Sequence, residues 1–595
     1  MQKRALDLLY GLVIKARCAE TQIPYYPQKT EICSNIHEIP QMKLCSPESA
    51  GVSSEYITRL LSELEACSEH LHSIVILKNG KKIAEAAAPG YSPYRRHVTH
   101  SMAKTVTGLA IGMLIDEGKL SLSDKAYDIL DVKALPALAS KARSVTVSDL
   151  LTMRTHVVFN ELGAVTEENW VNAFFSSATK NDPGSGFAYN SMNSYLLSAI
   201  VQKISGETLM QYLTPRLWEP LGITNVFWEV CPKGVNKGGW GLYISTEDMA
   251  KLGQLFLQRG EWNGKRIISA DWLSSATSVQ AKVSGNEGNF SYGYQLWVSE
   301  AGDGYLFNGM LGQNVWVCPE TQWVIAFNSG TDEMFQHNGA LSAAVRYSTD
   351  NANSSAKPIK RNRRALRALR RKSAYFMTDR TWIRFPKPVK VFGPFKRKQR
   401  YDIENTITAL VGKWSAAENN IGTLPLFVRL IQNNHSEGIK AIEIACRDTE
   451  SILVSITEGE HRFDFVAGLY SYCENTLDYY GELYRVAAAA QPTYTEDNLP
   501  VLKIELKFPE IANTRRIKLY SDGDKMSIIF SETPGVSVLE RLLDCTHICM
   551  PHLAPIVGKL KPRLDSTALT EKFRTVFSPQ LSAKKETVSD VDMYM

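Results

Sequence analysis

Residues 99–120 read THSMAKTVTGLAIGMLIDEGKL, an apolar helical pattern that begins with a serine and a lysine one turn apart. Residues three apart share a helix face, so the side chains of Ser101 and Lys104 are predicted to lie together. Apolar residues recur behind them at helical spacing, and Gly118 ends the pattern. The helix is therefore predicted to be buried almost all round, with Lys104 inside. Burial disfavours an ammonium ion, and a neutral amine beside a hydroxyl is a general base beside a nucleophile.

The alternative interpretation of this stretch is a helix N-cap followed by a surface lysine. The spacing itself does not discriminate, because it recurs at Ser177/Lys180, Ser354/Lys357 and Ser582/Lys585. None of these three pairs is followed by a comparable apolar run. The apolar context therefore singles out Ser101 and Lys104 as the candidate catalytic pair.

The composition of the 595 residues, with 44% hydrophobic and 22% charged, is typical of a globular protein of more than one domain. No run of 18 apolar residues exists, so no transmembrane helix is predicted. The first 20 residues are interpreted as an amphipathic helix of a cytoplasmic protein. The ten cysteines form no paired CxxC motifs, and no HExxH or phosphate-binding glycine motif occurs. We therefore expect free thiols, no metal and no cofactor.

The net charge of +5 is unevenly distributed. Residues 357–400 hold 17 Lys or Arg and one acidic residue, Asp379, which gives +16, and RNRRALRALRRK at 361–372 has a short helical pattern. The rest of the chain carries −11, the difference between +5 and +16. We expect this basic segment to dock onto the protein's own acidic surface, with weak contact to an anionic membrane surface as the second interpretation. No nucleic-acid partner is expected.

The strand and helix patterns predict an α+β class. Strands at both ends of residues 41–350, with helices between them, favour one antiparallel sheet in which the two ends of the segment meet. Asn79-Gly80 marks a hairpin turn near the first end. Many short strand patterns after residue 401, LFVRLIQ at 426–432 among them, predict a barrel or sandwich. The predicted segments are an N-terminal extension (1–40), a catalytic domain (41–350), a basic linker (351–400), a β-rich domain (401–550) and a polar tail (551–595).

A serine–lysine pair needs a third group that carries protons to the leaving group. Tyr189, in PGSGFAYNS at 183–191, follows a Pro-Gly turn and precedes an apolar helix. Its hydroxyl is therefore a candidate for a loop position in a cleft. The alternative is a tyrosine that only packs.

Four motifs in this order resemble the serine β-lactamase-like hydrolases, and most closely the class C β-lactamase, esterase and aminohexanoate-dimer hydrolase branch. They are SMAK (101–104), PGSGFAYNS (183–191), GGWGLYISTEDMAKLGQLFL (238–257) and YGYQLW with NGMLGQNVWVCPE (292–320). The resemblance covers residues 45–335. It implies an antiparallel sheet flanked by helices, plus a helical subdomain with Ser101 at its edge. The β-rich segment that follows resembles the lipocalin-like domains of some of these hydrolases.

The resemblance also implies roles for individual residues. Ser101 would be the acylated nucleophile, Lys104 its base, and Tyr189 the proton relay to the leaving group. The backbone N–H groups of Ser101 and Met310 would hold the oxyanion.

Substrate contacts are expected at Ser191, Phe307, Asn308 and Gly309. Ser191 ends a Tyr-x-Ser variant of the family's Tyr-x-Asn motif. The triplet Phe307-Asn308-Gly309 replaces Lys-Thr-Gly, so the cation that would orient a β-lactam carboxylate is missing. His156 is expected to be structural.

The resulting hypothesis is a serine hydrolase that cleaves a small ester or amide through an acyl-enzyme on Ser101. Two alternatives stay open from the sequence. One is a β-lactamase or D-amino-acid peptidase. The other is a non-catalytic scaffold with a basic, anion-binding arm.

Overall fold

The computed structural model describes residues 29–31, 41–67, 70–132, 141–164, 167–283, 289–332, 339–385, 403–426, 428–429, 436–479, 481–535 and 578–586. These residues form two compact units, which divide between Thr378 and Asp379. The N-terminal helix proposed for the first 20 residues lies outside the described residues.

The helices of the first unit are α1 (Ser54–Cys67), α2 (Ala103–Asp116), α3 (Ala126–Ile129), α4 (Val147–Leu151), α5 (Glu161–Ala164), α6 (Trp170–Phe175), α7 (Ser191–Ser205), α8 (Leu209–Leu213), α9 (Thr246–Leu257), α10 (Ala270–Ala276), α11 (Gly339–Thr349) and α12 (Arg363–Ala374). Its strands are β1 (Lys29–Glu31), β2 (Leu71–Lys78), β3 (Lys81–Ala87), β4 (Arg96–Val98), β5 (Phe227–Glu229), β6 (Leu242–Ser245), β7 (Glu261–Trp262), β8 (Lys265–Arg266), β9 (Phe290–Tyr292), β10 (Trp297–Ser299), β11 (Tyr305–Gly309), β12 (Gln313–Cys318) and β13 (Trp323–Ser329).

The main sheet of the first unit is antiparallel and has the strand order β3-β2-β13-β12-β11-β10-β9. Strand β2, from the start of the domain, pairs with β13 from its end, with Ile76 opposite Ile325. The prediction that both ends meet in one antiparallel sheet is confirmed. A smaller sheet of order β1-β5-β6-β4 leads into the turn that carries Ser101.

Both faces of the main sheet are buried. Successive side chains of a strand point to opposite faces, so each strand contributes to both core clusters. Along β13, Val324 belongs to one core cluster, whereas its neighbours Trp323 and Ile325 belong to the other. The first cluster includes α2, α7 and α9, and the second includes α1 and α11. Gly253 of α9 allows close packing, since a Cβ there would lie 2.6 Å from Val324. The sheet is therefore flanked by helices, as predicted.

The hairpin between β2 and β3 turns at Asn79 and Gly80, where the sequence predicted it. Both residues have positive φ, 50° and 71°. A two-residue turn of this type suits the right-handed twist of paired strands, and Asn-Gly tolerates it best. The turn fixes the register in which β2 enters the sheet.

The second unit contains β14 (Gly412–Ala416), β15 (Ile439–Cys446), β16 (Ser451–Glu458), β17 (His461–Gly468), β18 (Cys473–Tyr479), β19 (Glu482–Tyr494), β20 (Pro500–Lys507), β21 (Thr514–Asp522), β22 (Lys525–Thr533) and β23 (Gln580–Lys585). These strands form one sheet, and nine of them close into a barrel because Gly468 of β17 pairs with Ala489 of β19. Of the two predicted architectures, a barrel and a sandwich, the structure has the barrel.

Three features of the structure differ from the sequence prediction. Strand β23 lies within the segment predicted as a polar tail and joins β14 to β22. Helix α12 follows the predicted helical pattern, but it packs on α1 through an apolar stripe and is not part of a linker. In the LFVRLIQ segment, the described residues Leu426, Val428 and Arg429 are helical, because Pro425 starts a turn in which Arg429 N–H donates to its carbonyl.

Candidate active site

Ser101 lies in a 3-10 turn, His100–Met102, that connects β4 to α2. His100, directly before the serine, has φ of +47°. The left-handed region costs a non-glycine residue roughly 1 kcal/mol or more, and such strain persists only where the surrounding structure imposes it. Burial lowers the pKa of His100 to about 3, so the ring is neutral. The turn thus presents the half-buried Ser101 side chain at a constrained position.

Helix α2 is buried on every side from Ala103 to Leu114, as the sequence predicted. Two glycines make this possible. A Cβ on Gly108 would lie 3.2 Å from Gln295, and one on Gly112 would overlap the ring of Trp272. Lys104 is consequently only 1% exposed.

The ammonium nitrogen of Lys104 has three oxygen partners. Nζ lies 2.8 Å from Ser101 Oγ, 2.9 Å from Ser191 Oγ and 2.8 Å from the Gly239 carbonyl oxygen. Burial lowers the pKa of Lys104 from 10.5 to about 7, and the carboxylate of Glu161 acts in the opposite direction. A neutral amine donates only two hydrogen bonds. The Gly239 carbonyl can only accept, so it takes one of these two hydrogen bonds, and the Ser191 hydroxyl takes the other. The lone pair of Lys104 Nζ is then available to accept the hydroxyl proton of Ser101.

The ring of Tyr189 faces Lys104, whose Nζ is 4.9 Å from the ring centre. The ring stacks on Trp297, with centroids 6.0 Å apart and planes 14° apart. The next residue, Asn190, caps α7 and donates to the carbonyls of Val157 and Phe159. The structure therefore brings together all three predicted catalytic residues, and Tyr189 is held by its stacking on Trp297 and by the anchored neighbour Asn190.

The end of β11 lies against the turn that holds Ser101. A Cβ on Gly309 would overlap the carbonyl oxygen of Thr99, so only glycine permits this approach. The following loop is held by Gln313, which is fully buried and donates to the carbonyls of Met310, Leu311 and Ser329. Met310, predicted to supply an oxyanion N–H, is half-buried in this loop.

The structure does not place the Phe307 side chain in the site, although substrate contact was predicted. Phe307 is 0% exposed and packs on Phe256 of α9, with ring centroids 4.7 Å apart. Because side chains alternate along a strand, Phe307 faces the helix layer. Asn308 is buried as well and donates to Asn314 Oδ1 at 2.7 Å. Of the predicted triplet, Gly309 is the residue that borders the turn of Ser101.

Two other predicted positions are also clarified by their contacts. Ser191, predicted to touch substrate, is 4% exposed and bonds Lys104, so its hydroxyl belongs to the lysine's surroundings. His156, predicted to be structural, is buried against Gly186 on the loop that leads to Tyr189.

Sequence reasoning missed the segment 237–241 as part of the site. Gly238 and Gly239 pass so close to α7 that a Cβ on Gly239 would lie 2.6 Å from the Ser191 carbonyl. The segment is anchored by a buried ion pair, Lys237 with Glu229 at 2.5 Å. The GGWG motif was visible in the sequence, but no pattern indicated that its second glycine offers a carbonyl to Lys104.

No group of three or more His, Cys, Asp or Glu side chains arranged to hold a metal ion occurs among the described residues.

Part of the chain is similar in sequence to known proteins. The sequence model of the Beta-lactamase family matches residues 68–346. The 6-aminohexanoate-dimer hydrolase of Paenarthrobacter ureafaciens is 25% identical over 311 residues, which cover 47% of this chain and 77% of that protein. Protein flp of Staphylococcus aureus (strain NCTC 8325 / PS 47) is 28% identical over 173 residues, covering 26% of this chain and 34% of flp.

Among solved structures, the octameric penicillin-binding protein homologue from Pyrococcus abyssi superimposes with a TM-score of 0.40 and 17% identity, over 80% of this chain and 96% of that one. The match to the Beta-lactamase family model, over residues 68–346, lies entirely within the first unit, whose antiparallel sheet is flanked by helices.

Proposed function

We propose that the protein is a serine hydrolase that cleaves a small ester or amide through an acyl-enzyme on Ser101. The observation that carries this proposal is the 2.8 Å contact between Lys104 Nζ and Ser101 Oγ. The amine is buried, and its pKa of about 7 makes it a base at neutral pH. The serine is half-buried, so a substrate carbonyl can reach it.

In the acylation step, Lys104 accepts the hydroxyl proton of Ser101 while Oγ forms a bond to the substrate carbonyl carbon. The carbonyl oxygen becomes an oxyanion, stabilised by the backbone N–H groups of Ser101 and Met310. Donors of this kind contribute about 3 to 4 kcal/mol each in acyl transfer. As the bond to the leaving group breaks, Tyr189 gives its hydroxyl proton to the leaving alkoxide or amine and takes up the proton that Lys104 removed from Ser101, so both residues return to their starting states. Water then attacks the acyl carbonyl, the same proton transfers run in the opposite direction, and the acid leaves Ser101.

The surroundings of the site favour a substrate without a carboxylate at the β-lactam position. The residue at the position of the missing cation, Phe307, is buried in the core. The exposed carboxylate of Glu161, which accepts from the Ser191 N–H at 3.3 Å, adds negative charge beside the amine. The name of one relative, 6-aminohexanoate-dimer hydrolase, makes linear amides a substrate class to test beside short-chain aryl esters.

A fluorophosphonate probe tests the nucleophile without knowledge of the substrate. Mass spectrometry of the labelled full chain is expected to place one adduct on the peptide containing Ser101, and Ser101→Ala should abolish it. Ser354→Ala is the matched control, because Ser354 has the same spacing to a lysine. Labelling that persists in Ser101→Ala would place the reactive nucleophile at another residue and contradict the proposal, whereas no labelling of the unaltered chain would favour a non-catalytic scaffold.

The proton-transfer roles predict a specific pattern of activity losses. Lys104→Ala and Tyr189→Phe should each lower turnover of an aryl ester by about 10²- to 10⁴-fold. The double variant should be little worse than the worse single variant, because groups that act as a unit are not additive. Multiplying losses would show that the two residues act independently.

The β-lactamase alternative is separated by substrate preference. Cephalosporin turnover is expected to be slow beside that of the best aryl ester, since no cation replaces the family's lysine at position 307. Comparable rates would establish the alternative.

A further inference from the structure

The exposed face of α12 has no role in the proposed hydrolysis. The helix is fixed to the first unit by its opposite face, where Ala365, Leu366 and Leu369 are buried. Its ends are tied to α1 as well: the Asn362 side chain donates to Glu55 at 2.7 Å, and Lys372 pairs with Glu65. The orientation of α12 about its own axis is therefore set by contacts within the unit.

With this orientation, five arginines lie on the solvent side of the helix, and one of them, Arg370, also lines a groove between α12 and β3. At 100° per residue they occupy an arc of about 120°, nearly opposite the buried stripe. All five are exposed, and none forms an ion pair with any described residue. They are Arg363, Arg364, Arg367, Arg370 and Arg371. The sequence predicted that the basic segment docks on the protein's own acidic residues. In α12, Lys372 makes such a contact, whereas these five arginines remain exposed to solvent.

Exposed apolar side chains border this cationic face. Tyr375, one residue beyond the helix, is 65% exposed, and Ile359, shortly before it, is 40% exposed. A groove of about 550 Å³ between α12 and β3 adds Leu44 and Tyr94, 48% and 36% exposed. Aromatic and aliphatic residues beside cations suit the boundary between lipid headgroups and acyl chains.

We propose that the outward face of α12 is a peripheral docking surface for an anionic lipid bilayer. The five arginines would contact lipid phosphates and carboxylates, and Tyr375 and Ile359 would enter the headgroup region. Deep insertion is excluded, because the apolar stripe of the helix is already used against α1. No helix among the described residues is long and apolar enough to cross a membrane. A bilayer is favoured over nucleic acid because the margins of the face are apolar, whereas a phosphodiester backbone would use the cations alone.

The electrostatic part of the attraction gives the expected magnitude. Each cation near an anionic surface changes the partition coefficient about fivefold, and salt screens the effect. Replacing three of the five arginines should therefore weaken binding by roughly 100-fold at low salt. The effect should be smaller at physiological salt.

The test is sedimentation of the full chain with vesicles of phosphatidylserine and phosphatidylcholine, and with pure phosphatidylcholine as reference, at low and physiological salt. The variant R363Q/R367Q/R370Q removes three outward cations. The matched control K119Q/K203Q/K265Q removes three exposed cations elsewhere on the same unit. Binding to anionic vesicles that is lost in the first variant and kept in the control is the expected result, and Tyr375→Ser should weaken it further at high salt.

Three outcomes would overturn the proposal: no co-sedimentation at low salt, equal binding of both triple variants, or tighter binding to a 20-base-pair DNA than to anionic vesicles. Circular dichroism of each variant reports folding. The rate of fluorophosphonate labelling reports the catalytic unit separately, so failure of lipid binding is distinguishable from failure of the proposed hydrolase function.

Discussion

The reactivity of Ser101 should follow the protonation of Lys104, and pH is the simplest perturbation that tests this. Only the neutral amine can accept the hydroxyl proton. The rate constant for fluorophosphonate labelling of Ser101 should therefore rise with the neutral fraction of Lys104. This assay needs no knowledge of the natural substrate.

The magnitude follows from the pKa of about 7 that burial gives this lysine. At that pKa, roughly one molecule in eleven has neutral Lys104 at pH 6, and about ten in eleven have it at pH 8. Labelling should therefore accelerate about tenfold between pH 6 and pH 8, with its midpoint near pH 7, and then level off. A lysine at its usual pKa of 10.5 would give no plateau in this range.

The substitution Glu161→Gln tests the cause of the pKa as well as its value. The Glu161 carboxylate raises the pKa of Lys104 against the effect of burial. Removing the charge while keeping an oxygen for the Ser191 N–H should move the midpoint to lower pH. Glu168→Gln is the matched control, because that carboxylate is 69% exposed and lies 3.6 Å from Lys233.

Labelling kinetics measured from pH 5.5 to 9.5 give the midpoint of the Lys104 titration. A midpoint above pH 9 would show that Lys104 is protonated at neutral pH, and another group would then have to serve as base. A midpoint that moves equally in Glu161→Gln and Glu168→Gln would refute the specific coupling between Glu161 and the lysine.

Three further predictions concern stability and geometry. Burial lowers the pKa of Lys104 from 10.5 to about 7, so the charged lysine destabilises the folded unit fully below pH 7 and not at all above pH 10.5. Lys104→Met should therefore raise the melting temperature more at pH 6 than at pH 9. Lys237→Met, which leaves the Glu229 carboxylate buried without this cation, should lower the unfolding free energy by about 3 to 5 kcal/mol, and the double variant with Glu229→Leu should lose less in a denaturant-based double-mutant cycle. Gly309→Ala, whose Cβ would overlap the Thr99 carbonyl, should slow labelling of Ser101 at least about tenfold, since misplacement near 1 Å has effects of that size or larger.

Local geometry explains why part of the site could be predicted. Ser101 and Lys104 are three residues apart, so their proximity follows from helix geometry once the helix itself is recognised. The burial of Lys104 followed from the apolar residues behind it. Tyr189, 85 residues further along the chain, could be assigned only through the order of the family's motifs.

The remaining features of the site depend on contacts between distant parts of the chain. Lys104 meets Ser191 and Gly239, which are 87 and 135 residues away, because α2, α7 and the glycine segment pack together. No periodicity in the sequence encodes which carbonyl will face a buried amine. The position of Phe307 was misassigned for a related reason: a motif gives the position along a strand, whereas the packing of α9 decides which face of that strand becomes core.

The basic segment shows the same division between sequence and structure. The sequence by itself determined that 17 cations lie between residues 357 and 400, and that part of this segment follows a helical pattern. It could not determine where that helix would dock, because both the protein's own acidic surface and an anionic membrane surface could receive it. The tertiary structure decided this: burial of Ala365, Leu366 and Leu369 against α1 fixes the rotation of α12, and the arginines on the opposite arc are left facing water.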